Sequence, residues 1–145
     1  MENKEWSADE LRNKAERYCV AAEHCPMDVR EKMRQWGASD ELADTILNRL
    51  IQEGYVSEQR YCRAFCADKL HFQGWGRNKI RVMLRAKGLP EDRIAEALNN
   101  IDETDYFTQL AKVSKKKPSA TKEQLIRFLL QRGFLWDEIR SALSI

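Results

Sequence analysis

The chain has 145 residues, 43% of them hydrophobic, and its 25 Lys and Arg against 23 Asp and Glu leave a formal net charge of +2. That content supplies a core for one ordinary domain or for a few small helical units sharing one. A mean hydropathy of −0.66, with no apolar run near the roughly 20 residues that span a bilayer, excludes a membrane helix.

The first residues, Met1-Glu2-Asn3-Lys4-Glu5-Trp6, have neither the basic start nor the apolar stretch of a signal peptide, so a cytoplasmic protein is expected. Ser7-x-x-Glu10 has capping-box form and predicts a first helix through Leu11, Ala15, Tyr18 and Cys19 to about Ala22. Pro26 opens a second, with Val29 and Met33 inward and Gly37 as its stop. Ser39 or Asp40 caps a third, which carries Ala43, Ile46, Leu47, Leu50 and Ile51 inward and stops at Gly54.

The same unit follows twice more. Its second copy runs from a helix at about Ser57 to Leu70, through a basic helix from Arg77 to Lys87 with Ile80, Met83 and Leu84 inward, to one opened by Pro90. The third has a helix near Asp105 to Val113, a flexible basic linker through Lys115, Lys116, Lys117 and Pro118, a helix from Thr121 to Arg132 capped by Thr121-x-x-Gln124, and a last one through Ile139 and Leu143.

Glycine anchors the repeat. Gly37, Gly88 and Gly133 each have an apolar residue eight before (Val29, Ile80, Leu125) and four before (Met33, Leu84, Leu129). Ala43, Ile94 and Ile139 follow at six, and Leu47, Leu98 and Leu143 at ten. The predicted fold is therefore all-α, three tandem three-helix repeats at residues 1–54, 55–101 and 102–145, helix-turn-helix-like, with linkers that drift in length.

Catalysis is not expected. The chain has no Gly-x-x-x-x-Gly-Lys phosphate loop, no His-Glu-x-x-His and no Gly-x-Ser-x-Gly, and its two histidines stand far apart. Cys19, Cys25, Cys62 and Cys66 lack Cys-x-x-Cys spacing and read as small reduced core thiols; neither metal nor cofactor is expected. His71 reads as a surface or loop residue.

Base is concentrated locally. Between Lys69 and Pro90 lie Lys69, Arg77, Lys79, Arg81, Arg85 and Lys87 with no acidic residue among them. Arg77, Arg81 and Arg85 fall one turn apart, away from the apolar face. Two readings stay open: a solvated face whose charges pair with acids from other helices, or a surface that meets phosphates or an acidic protein. Trp75, between Gly74 and Gly76, either stacks on a base or partner or covers the core. Lys115, Lys116 and Lys117, followed by Lys122, Arg127 and Arg132, extend positive charge along the third copy. Such patches attract a polyanion even when the total charge is near neutral.

Gly54-Tyr55-Val56 followed by Arg60-Tyr61-Cys62-Arg63-Ala64-Phe65, Gly74-Trp75-Gly76-Arg77-Asn78-Lys79-Ile80 with Leu84-Arg85-Ala86-Lys87-Gly88, and Lys117-Pro118 with the Leu129-to-Gly133 copy together resemble the RecX family, regulators of the RecA recombinase. The resemblance covers nearly all of the chain from Leu11. It implies an elongated, curved body lying in the helical groove of the RecA filament on DNA. There it suppresses ATP hydrolysis, strand exchange and coprotease activity, and so acts in DNA repair, recombination and the SOS response. RecA would be the partner, with single- or double-stranded DNA beside it, and with no long heptad a monomer is expected. The first copy departs from the family pattern, with Cys25-Pro26-Met27 where a serine cap is usual and Trp36 rather than a basic residue before Gly37. Two alternatives remain: a stand-alone DNA-binding protein built of helix-turn-helix-like units, and a helical scaffold for which the basic stripe is dispensable.

Overall fold

A computed structural model describes residues 6–145; Met1 to Glu5, where the absence of a leader was read, lie outside it. Among the described residues the regular structure is entirely helical. The helices are α1 (Ala8–Ala21), α2 (Pro26–Gln35), α3 (Asp40–Gln52), α4 (Glu58–Asp68), α5 (Arg77–Ala86), α6 (Glu91–Asn99), α7 (Glu103–Ser114), α8 (Lys122–Gln131) and α9 (Trp136–Leu143), and one π-helical turn, Lys69–Gln73, continues α4.

The starts and stops follow local chemistry. Ser7 Oγ accepts from the Glu10 N–H at 3.1 Å while Glu10 Oε1 accepts from the Ser7 N–H at 3.3 Å, and Thr121 and Gln124 repeat the exchange at 3.2 and 3.0 Å. Ser39, not Asp40, caps α3 by accepting from the Leu42 N–H. Cys25 offers α2 no side-chain cap, and Pro26 at the first helical position removes one orphan donor instead.

By Cα proximity the chain forms two compact units, the first ending at Tyr61 and the second running from Cys62 to Ile145, so the boundary falls within α4. The first unit buries Leu11, Ala15, Cys19, Val29, Met33, Ala43, Ile46, Leu47, Leu50 and Val56 in one cluster. Full burial of each large aliphatic side chain contributes about 1.5–3 kcal/mol. Arg60 crosses the end of α3, donating to the carbonyls of Gly54 and Tyr55 and to Glu23, where a cation meets the negative end of the helix dipole.

The second unit holds the larger part of α4 and the helices from α5 to α9. Ile80, Leu84, Ile94 and Leu98 are buried on α5 and α6, and Tyr106, Leu110, Val113, Leu129, Phe134 and Ile139 form a core from α7 to α9. Backbone joins the two parts: Gly76 N–H donates to Arg132 O at 2.8 Å, and Asn78 N–H to Gly133 O at 3.0 Å.

The repeat positions are buried except Leu125 and Leu143, which are partly buried, and two other residues read as inward are exposed. Ile51 is 44% exposed and Met83 38% exposed, because short helices bury a stripe narrower than the apolar content suggests. In α5 the buried pair is Ile80 and Leu84, four apart, and Met83 lies to one side.

Candidate functional site

The basic stripe of α5 is neutralised from within the second unit. Arg77, whose side chain is 19% exposed, lays its guanidinium over the Tyr106 ring at 3.9 Å and pairs with Glu103 at 2.5 Å and Glu138 at 3.4 Å. Its backbone N–H donates to the Tyr106 hydroxyl at 3.1 Å, and that hydroxyl donates to Glu138 Oε1 at 2.9 Å. Burial is the main cause that pushes the Tyr106 phenol above its ordinary value, with Glu138's charge adding to it.

Arg85 hydrogen-bonds Glu91, and Arg81 reaches the same carboxylate at 3.8 Å. The Arg85 hydrogen bond, with charge from Arg85 and Arg81, holds the Glu91 carboxyl below the usual carboxylate range. Of the two readings of the stripe, pairing with acids from other helices is the one observed. The acids stand at the starts of α6, α7 and α9, where the helix dipole also favours them.

Other predicted residues are also engaged. Trp75 is half-buried against Phe65, with Lys69 Nζ 5.2 Å and Lys79 Nζ 4.5 Å from its ring centre. Arg132 donates to Gln73 O at 2.7 Å and lies 5.0 Å from the Phe128 ring centre, so it ties α8 to the π-helical turn. Lys87 is half-buried at the C-terminal cap of α5.

The remaining cations lie in the α7–α8 connection and along α8. Lys115, Lys116, Lys117, Lys122 and Arg127 are exposed, and among the described residues none of the five has a carboxylate within 4.0 Å. Successive backbone bonds from Lys116 to Val113, Lys117 to Ser114 and Ala120 to Lys117 wind the connection into turns. An open groove of about 420 Å³ runs beside it, lined by Lys117, Ala120, Gln124, Arg127, Phe128 and Gln131. Sequence reading missed Phe128, although its place one residue after Arg127 on a basic helix was a usable signal.

The first unit holds a second cationic arrangement that the sequence did not disclose. Lys14 Nζ lies 4.1 Å from the Trp6 ring and 4.6 Å from the Trp36 ring, and Lys32 approaches Tyr18 and Trp36 at 5.8 and 6.0 Å. Trp36 thereby has two lysine ammonium groups near its ring.

All four cysteines are buried and none is in a disulfide. Burial pushes the Cys19 thiol up to about 11 and the Cys66 thiol up to about 12, with nearby Glu23 and Cys62 adding to the respective shifts. His71 sits in the π-helical turn, its Nδ1 2.7 Å from Ala67 O and its Nε2 2.7 Å from Asp105. No described helix is long and apolar enough to cross a membrane.

The family model described as RecX, second three-helix domain, matches residues 57–98. Regulatory protein RecX of Ectopseudomonas mendocina (strain ymp) is 37% identical over 124 residues, covering 81% of each chain. The chain belongs to the RecX family. The Regulatory protein RecX of Chlorobaculum tepidum is more distant, at 29% identity over 84% of this chain and 79% of its own. Two solved RecX structures have the same fold. The crystal structure of RecX from Lactobacillus salivarius is 19% identical with a TM-score of 0.79 over 94% of both chains. A second, the crystal structure of a regulatory protein RecX, is 17% identical with a TM-score of 0.79, over 100% of this chain and 81% of that one. The all-helical reading and the family resemblance both stand.

Proposed function

We propose that this RecX-family chain is a non-enzymatic regulator that binds RecA filaments on DNA, slows their ATP hydrolysis and so restrains strand exchange and coprotease activity in DNA repair, recombination and the SOS response. In this reading it acts in the cytoplasm as a monomer, through three helical repeats at 1–54, 55–101 and 102–145. The contact surface moves from the α5 stripe to the α7–α8 connection. The observation that carries this is the contrast in pairing: Arg77, Arg81 and Arg85 each meet a carboxylate, whereas Lys115, Lys116, Lys117, Lys122 and Arg127 meet none among the described residues. An uncompensated cation gains most from an incoming phosphate, because no internal ion pair has to be broken first. Lys69, Trp75, Lys79, Lys87 and Arg132 have a supporting role in this reading.

The test is RecA with single-stranded DNA and ATP. Substoichiometric amounts of the chain lower the hydrolysis rate, and an unchanged rate at saturating amounts contradicts the reading.

The five unpaired cations also favour a second reading, stand-alone DNA binding. It predicts a log affinity for naked duplex that falls with log salt at a slope of about −4 to −5, from roughly 0.9 per phosphate neutralised. A flat salt dependence removes it.

A further inference from the structure

We infer that the groove along α8 holds one unstacked base of a single-stranded nucleic acid against the ring of Phe128, with the flanking phosphates on Lys117 and Arg127. The inference rests on the reading of the α7–α8 cations as the polyanion-facing surface, and adds the form of the polyanion.

The groove follows one face of the helix. Gln124, Arg127, Phe128 and Gln131 recur at helical spacing on α8, with Ala120 just before its N-cap, and from Gln124 to Gln131 the helix rises about 10 Å at roughly 1.5 Å per residue. Phe128 sits at its middle. Partly buried, Phe128 packs against the core cluster that includes Leu110, Leu129 and Phe134, and it also lines the groove. A ring anchored in this way is a rigid platform, so little side-chain freedom is lost when a base lands on it.

Charge surrounds the ring. Lys117 Nζ is 5.2 Å and the Arg132 guanidinium 5.0 Å from its centre, and no Asp or Glu lines the groove. Backbone phosphates on either side of a stacked base would therefore meet Lys117 and Arg127, neither of which has a carboxylate to release. The groove volume of about 420 Å³ falls in the range of roughly 300–1,000 Å³ typical of small-ligand sites. Gln124 and Gln131, one turn to either side of Phe128, carry amides that both donate and accept, which suits a base edge without selecting one base.

Two other occupants fit less well. A duplex keeps its bases stacked on each other and offers no face to Phe128. An acidic peptide satisfies the cations but has no flat π surface for the ring.

The experiment titrates the full chain into labelled oligothymidylate and into its duplex with oligoadenylate, with polyglutamate as competitor, and irradiates a bromouracil-substituted strand to map the crosslinked residue. The expected results are tighter binding of the single strand than of the duplex and a crosslink at Phe128. Phe128→Leu, folded by circular dichroism, loses about tenfold in single-strand affinity, while Phe128→Tyr keeps it. Lys117→Gln with Arg127→Gln reduces the steepness of the log affinity against log salt line by about 1.4. Unchanged affinity in a folded Phe128→Leu, a crosslink confined to another element, or displacement of the strand by polyglutamate at matched charge overturns the inference, the last assigning the groove to an acidic protein segment. If any of these occurs while the chain still slows RecA hydrolysis, the base site falls and the regulatory reading stands. If hydrolysis is untouched while Phe128-dependent strand binding persists, the base site stands and the RecA reading falls.

Discussion

The carbonyl oxygen of Gly133 accepts a hydrogen bond from the backbone N–H of Asn78 at 3.0 Å, which brings the α8–α9 turn against the start of α5 with no side chain between them. Gly133 has φ +94, and a Cβ built on it would stand 2.5 Å from Lys79 N; one built on Gly76 would stand 2.5 Å from Gly133 O. Gly37 occupies the same repeat position with φ +95 and nothing within 4 Å. Gly37→Ala therefore costs only the left-handed conformation, about 1–2 kcal/mol. Gly133→Ala adds a clash with backbone and totals about 3 kcal/mol or more. Urea unfolding midpoints compare the two, and equal shifts would contradict the close approach.

Tyr106 hydrogen-bonds both the Arg77 backbone and Glu138 from a fully buried position. Tyr106→Phe keeps the ring under the guanidinium but strips both partners of their bond, which costs about 1–3 kcal/mol in thermal or urea unfolding. The pH dependence has a definite sign. Burial raises the phenol in the folded state, so the unfolded chain ionises first; this stability is present below about pH 10 and is lost as pH rises above it. Wild type loses stability above pH 10 more steeply than Tyr106→Phe does.

The Cys19 and Cys66 thiols, raised from 9.0 to about 11 and about 12, carry the same sign. Their contribution is complete below pH 9 and fades as pH climbs toward those values. Buried and protonated, they react slowly with a disulfide reagent at pH 8 in the folded chain, and all four thiols react quickly once urea unfolds it. Fast labelling of Cys66 in the native state would contradict this account of its burial.

Lys14 between Trp6 and Trp36 is expected to stabilise the first unit by about 0.5–1 kcal/mol per ring. Lys14→Met keeps an unbranched stem and removes the charge, so its unfolding free energy falls by that amount while Lys14→Arg stays near wild type. Tryptophan fluorescence follows the transition directly.

Local signals made most of the fold legible. Capping boxes at Ser7 and Thr121, the prolines at helix starts and the glycine-anchored apolar spacing depend on contacts within a few residues or on a repeated face, and each reappears in the structure. The charge pairing was not legible to the same degree, because Arg77 meets Glu103 and Glu138 at sequence separations of 26 and 61. Glu91 was within reach of inspection, six residues after Arg85 across a Gly-Leu-Pro turn. The π-helical turn left no pattern of its own, and its Phe72, 78% exposed, follows no apolar face. The groove at Phe128 needed the wound α7–α8 connection, which a run of lysines before a proline does not announce.

The central claim is that the α7–α8 cations, not the paired α5 stripe, face the filament. The most direct measurement is the RecA hydrolysis rate on single-stranded DNA with two folded variants, Lys115→Glu/Lys116→Glu/Lys117→Glu and Arg81→Glu/Arg85→Glu. The account predicts that the first loses its inhibition and the second retains most of it; inhibition that survives in the first and disappears in the second would contradict it.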